Sequence, residues 1–200
     1  MSLATPDRVD PRVRRTRALL HDALRALAAE RPLDQISVAD IADRATVSRA
    51  TFYLHYADRD ALLLDLIDTI ITSEVAAAES VGVVPEDMTE DTPTPAYLVA
   101  FVRDIEANAS LFRQVLGSEG SARVLAHVRE RFNAALVVLL RSAPAPLPRL
   151  VPDEVHAAWL TGALFGVFAH WLTTEPRRPA TRVARDIWRL AIQPNVRREG

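Results

Sequence analysis

Apolar residues recur at helical spacing along most of the chain, and the two-residue alternation of a half-buried strand is missing. Leu20, Leu24 and Leu27 form one stripe over about 12–30, with Pro32 just beyond its end. Val38, Ile41, Ala42 and Ala45 form a second over about 38–45, and Phe52 and Tyr56 stand one turn apart in a third at about 49–55. Leu62, Leu66, Ile70 and Val75 carry a fourth helix to about 79, before a loop at 81–95 that holds three Pro and four acids. Helical spacing returns at Tyr97–Ile105, at Leu111–Leu116, and, after a gap at 117–120, through Val124, Val128, Phe132, Leu136 and Leu140. Four Pro between 144 and 152 stiffen the next connection. Val155–Leu172 is apolar nearly all round and must be covered on more than one side. A last helix at about 180–192 buries Val183, Ile187 and Leu190 and carries Arg182, Arg185 and Arg189 on its other side. The pattern predicts an all-α chain of about nine helices: a flexible arm at 1–11 containing Arg8, a three-helix unit at 12–57, and a helical domain at 58–200.

The stretch 37–62 carries the most specific information. Ser37 and Asp40 have the capping-box spacing, in which two side chains satisfy orphan backbone donors at a helix start. Ser48 is placed to cap the next helix, and Asp58 the one after. In the middle helix Phe52 points to a core, while Arg49, Thr51, Tyr53 and His55 fall on its other side. A short helix with an apolar back and a polar front is the layout of a DNA-reading helix-turn-helix. The residue types suit that task. Arg bonds a guanine edge bidentately, Thr offers a methyl or a hydroxyl, and Tyr and His present polar tips on stiff rings.

The run Val47-Ser-Arg-Ala-Thr-Phe-Tyr-Leu-His-Tyr-Ala-Asp-Arg-Asp-Ala-Leu-Leu63 resembles the signature of the tetracycline-repressor (TetR) family of bacterial transcriptional regulators. That signature is Val-Ser-x-Gly-Thr-[Phe/Leu]-Tyr-x-[His/Tyr]-Phe, followed by Ser-Lys-Glu-x-Leu. The likeness covers about residues 12–66 and implies a helix-turn-helix domain followed by a helical ligand-binding and dimerisation domain. It implies that Arg49, Ala50 and Thr51 enter the major groove and that Tyr53 and His55 meet phosphates, with a base as a further contact open to them. Ser37 and Ser48 stand at helix starts near the DNA, and Arg59 replaces a Lys that touches phosphate. Three positions depart from the pattern: Ala50 stands for Gly, Leu54 for a residue more often polar or aromatic, and Thr46 for the Gly of the turn. A β-branched residue resists positive φ, so the turn at Thr46 either differs in detail or carries strain.

The resemblance further implies a homodimer on two-fold operator DNA and a small-molecule effector, largely apolar, held among the later helices. Phe101, Ile105, Phe112, His127, Phe132 and Trp159 are the candidate pocket residues, although the same aromatics serve equally as core or dimer seam. Trp159, Ala163, Gly166 and His170, with Val183, Ile187 and Leu190, are the candidate seam. A repressor released by its effector is the function implied; an activator of the same family is the alternative. From a different class, a helical enzyme or carrier could keep the motif as scaffold.

Composition narrows this picture further. The 200 residues carry a net charge of −2, which looks wrong for a DNA binder until the chain is divided. Residues 1–60 hold ten Arg against nine acids, and residues 61–200 hold fourteen against seventeen. Five Arg crowd into 7–17, where an arm could follow the minor groove or simply solubilise the chain. All 24 basic residues are Arg, a bias that a GC-rich gene explains. With no Cys, disulfides, thiolate nucleophiles and thiolate metal sites are excluded. His127 and Glu130 have i, i+3 spacing but no evident third ligand, so neither a metal nor a cofactor is implied. No phosphate-binding glycine loop or nucleophile elbow supports catalysis. The pattern shows no secretory signal and no bilayer-length apolar run, for Arg131 and Arg141 interrupt Ala134–Leu140; a cytoplasmic chain is expected.

Overall fold

The computed structural model describes residues 10–81, 92–117, 121–142 and 151–192. Every regular element among them is helical: α1 (Pro11–Glu30), a single 3-10 turn (Leu33–Gln35), α2 (Val38–Arg44), α3 (Arg49–His55), α4 (Arg59–Val81), α5 (Ala96–Ala107), α6 (Ala109–Leu116), α7 (Ala122–Ser142), α8 (Asp153–Thr173) and α9 (Ala180–Ile192). Most of the arm, most of the acidic loop and the first three prolines of the 144–152 connection lie outside the described residues. The contacts divide the chain into two compact units at Leu66 and Ile67, within α4 rather than before it.

Local chemistry sets the helix starts of the first unit. Asp10 accepts from the Arg12 backbone N–H at 2.8 Å, with Pro11 in the first turn where its missing N–H is harmless. The Ser37 hydroxyl accepts from the Asp40 N–H at 3.2 Å, while the Asp40 carboxylate takes the Ser37 N–H at 2.8 Å. Asp58 Oδ1 accepts from the Ala61 N–H at 2.7 Å and opens α4. Each such cap is worth about 1 kcal/mol. Between the caps, Leu20, Leu24, Ile41, Phe52, Leu62 and Leu66 are closed off from solvent. Two ion pairs tie α2 to the end of α1: Arg44 meets Glu30 through two bonds of 2.9 Å, and Arg31 meets Asp40 at 3.0 Å.

In the second unit α7 lies along α8, α9 along α5, and α6 against α8. Phe101 stacks on Phe132 at 5.8 Å between ring centres and meets Phe168 edge-on at 5.7 Å; Phe132 reaches Phe165 at 5.9 Å. Arg113 donates to the Leu172 carbonyl at 3.1 Å, satisfying an orphan acceptor near the end of α8. Asp68 on α4 receives Arg131 at 3.1 Å and lies 3.5 Å from His127, both on α7.

The apolar helix α8 is only half covered. Ala157, Thr161, Phe165, Phe168, Trp171 and Leu172 face inward. Val155, Trp159, Gly162, Ala163, Gly166 and His170 form an exposed stripe on the other side. By length and composition α8 could also cross a membrane, which corrects the expectation that no such stretch exists. On α9 Val183 and Ile187 are buried within the protomer, whereas Leu190 is 55% exposed, and Arg182, Arg185 and Arg189 occupy the face opposite the core.

Phe52, with 0% of its surface exposed, is the large ring under α3. Phe52→Ala is expected to lose about 3–5 kcal/mol of stability in chemical denaturation. An unchanged midpoint would mean that the ring is not a core residue.

Candidate nucleic-acid interface

The turn between α2 and α3 is a Schellman motif. The Val47 N–H reaches the Ala42 carbonyl at 2.9 Å and the Thr46 N–H reaches Asp43 at 3.1 Å, which consumes the last acceptors of α2. The motif requires a left-handed residue after the cap, and here that residue is Thr46 at φ 57°. The turn therefore keeps its shape, and the β-branched side chain carries the strain.

After the turn, Ser48 caps α3 by accepting from the Thr51 N–H at 3.0 Å, and the two hydroxyls bond at 2.8 Å. The Thr51 hydroxyl is thus engaged locally. Arg49 and Ala50 are exposed, Tyr53 is 58% exposed, and His55 is partly covered beside the Tyr56 ring. Leu54, at 83% exposure, follows Phe52 by two residues and so points away from the core. From sequence an apolar residue at this position is suited to a thymine methyl or to no contact at all.

Ser37 lies at the start of α2 with its hydroxyl donating to Asp40 at 2.6 Å. That hydroxyl, the Ser37 N–H and then Arg31 hold the Asp40 carboxyl down to about 2. Arg59 is turned back into its own unit. Its guanidinium donates to the Leu33 and Ile36 carbonyls and to Asp60 at 3.0 Å, fastening the 3-10 turn to the start of α4. The family resemblance implies a phosphate contact there, but a local pattern does not reveal that two carbonyls of the preceding loop converge on the side chain.

Behind α3 lies a polar cluster that sequence reasoning missed. Tyr56, the C-cap of α3, donates its hydroxyl to Asp65 on α4 at 2.5 Å. His21 on α1 brings Nε2 to 3.0 Å from the same carboxylate oxygen, and Arg17 stands 5.6 Å over the Tyr56 ring. Burial chiefly lowers the His21 pKa, against the pull of Asp65. Burial, followed by the bond to Asp65, pushes the Tyr56 phenol up and keeps it a donor.

The candidate effector residues divide. Phe101 and Phe132 meet in the aromatic cluster, and Ile105 and Phe112 are buried on α5 and α6. His127 lies 3.5 Å from Asp68, and Trp159 lies on the exposed stripe of α8, 54% exposed, with His156 as a ring neighbour. Among the described residues no group of three His, Asp or Glu is placed to hold a metal ion.

A capped two-turn helix presented on a small helical core, with polar side chains outward, defines a helix-turn-helix DNA-binding protein. Residues 20–66 match the model of the bacterial regulatory proteins of the tetR family. The chain is also 38% identical, over 78% of its length and 76% of the relative's, to the HTH-type transcriptional regulator EthR of Mycobacterium tuberculosis. This chain belongs to the TetR family of DNA-binding transcriptional regulators. Solved structures with the same fold include a TetR-family regulator from Syntrophomonas wolfei, at a TM-score of 0.68, 16% identity and coverage of 90% and 96% of the two chains. Another is FadR of Bacillus subtilis in complex with stearoyl-CoA, at 0.61 and 14%, covering 88% and 97%.

Thr46→Gly is expected to relieve the left-handed strain and raise stability by about 1 kcal/mol, less what the freer unfolded chain takes back. A denaturation midpoint equal to or below that of the unaltered protein would show that the turn is not strained.

Proposed function

We propose that the protein is a homodimeric repressor whose operator is read by α3 and which a small, largely apolar effector releases. The exposed front of α3 carries this reading. Arg49 is suited to a guanine edge, Leu54 and the Thr51 methyl to thymine methyls, and Tyr53 and His55 to phosphates. Ala50 allows close approach of the backbone. Ser37 and Ser48 have caps as their first task, with backbone N–H groups beside them that favour phosphate. Arg59 serves the fold, and Arg12, Arg14 and Arg15, exposed on α1, take its place among the candidate phosphate partners. DNA reading places the protein's work in the compartment that holds the chromosome.

The stripe on α8 supports pairing with a second copy. An interior helical glycine costs about 1 kcal/mol relative to alanine. Yet a Cβ on Gly162 or Gly166 would meet nothing within 4 Å in its own protomer. Their smallness therefore serves something outside the protomer, and a close-packed helix from a partner is the natural occupant, with Val155, Trp159, Ala163 and His170 around it. Leu190 can join that seam, while Val183 and Ile187 support it from inside. Two recognition helices then supply the affinity that one short helix lacks.

The cluster of Phe101, Phe132, Phe165 and Phe168 supports an apolar effector, in line with the stearoyl-CoA bound by the FadR structure. Such a ligand would release DNA only by binding the released conformation more tightly, with α4, which belongs to both units, as the connecting element.

Arg49→Ala is expected to weaken binding to DNA flanking the protein's own gene by about 1–3 kcal/mol and to relax preference at one base pair. Unchanged affinity in a titration at fixed salt would remove α3 from the interface. Gly166→Arg should yield helical monomers with weakened operator binding, because the protomer has room for the side chain and a partner does not. A stable dimer by light scattering would move the seam elsewhere.

A further inference from the structure

The Tyr56–Asp65–His21 cluster has a consequence for recognition that rests on the reading of α3 as the DNA-reading helix. Phe52 holds α3 by apolar packing, which is not directional and leaves rotation about the helix axis weakly fixed. The hydrogen bond from Tyr56 is directional. It ties the C-cap of α3 to a carboxylate on α4, and His21 ties that same oxygen to α1. Arg17 approaches the other oxygen at 3.7 Å. Four side chains, two from α1, one from α4 and one from the C-cap of α3, thus meet at one point, with Tyr56 and His21 buried.

Side chains at the front of α3 end roughly 6 Å from its axis, so a rotation of about 10° moves them by about 1 Å. Usable hydrogen-bond lengths span only about 0.5 Å. A rotation that small is enough to spoil base contacts while the attraction of Arg to phosphate, which is tolerant of position, survives.

We propose that Asp65 is a positioning residue for operator recognition: by gathering Tyr56 and His21 it fixes the rotation of α3, and so sets sequence discrimination without setting general attraction to DNA. Tyr56→Phe isolates this role, since the ring still fills its site and only the hydroxyl is lost. Asp65→Asn keeps an acceptor oxygen and should retain part of the function, whereas Asp65→Ala should not.

The test uses the full chain and two duplexes: one recovered by the unaltered protein from a random-sequence pool, and a shuffled duplex of equal composition. For Tyr56→Phe the affinity for the recovered duplex is expected to fall about tenfold, the size of one lost base contact, with affinity for the shuffled duplex unchanged. Asp65→Asn should fall between Tyr56→Phe and the unaltered protein. An equal loss on both duplexes would assign the cluster to stability alone and overturn the proposal, as would no loss on the recovered duplex. If the unaltered protein recovers no preferred sequence, the DNA-reading assignment itself fails and this proposal falls with it.

Discussion

A helix of seven residues does not hold itself together in water, because nucleation consumes most of what two turns of hydrogen bonds return. The front of α3 exists as a surface only because Phe52 is buried behind it and Ser48 closes its first turn. The placement of that surface depends on this buried ring. The caps fix where the helix begins, the Schellman turn fixes the angle at which the chain enters it, and Tyr56 fixes its exit.

The first unit directs charge by pairing it. Arg44, Arg31 and Arg59 are occupied by Glu30, Asp40 and Asp60 or by loop carbonyls, so they hold helices together. Arg12, Arg14, Arg15 and Arg49 are exposed and available to phosphate or bases. A nearly neutral domain can therefore present local positive charge, and it is local neutralisation of phosphates that releases counterions.

The second unit uses size in a similar way. Along α8 Phe165, Phe168 and Trp171 point inward, while Gly162, Ala163 and Gly166 lie on the outward side with Trp159. On α9 the division is between buried apolar residues and outward arginines. The two helices thus offer different outer surfaces, one mainly apolar and the other charged, although both read as amphipathic or apolar strings.

Much of this was written locally in the chain. Helix starts follow from Ser37, Ser48 and Asp58, whose side chains bond only three residues away, and Phe52 follows from its spacing to Tyr56. Strain at Thr46 could be foreseen, since a left-handed turn taxes any β-branched residue. Tertiary structure decided what depends on distant partners. It turned Arg59 onto carbonyls more than twenty residues earlier, joined His21 to Asp65 across 44 positions, and buried Val183 and Ile187 within the protomer. It also set Trp159 outside and Phe165 inside a helix that is apolar on both faces. Sequence determines contacts within a turn or two because the backbone geometry is already known there; a pairing between helices is chosen only when the whole core closes.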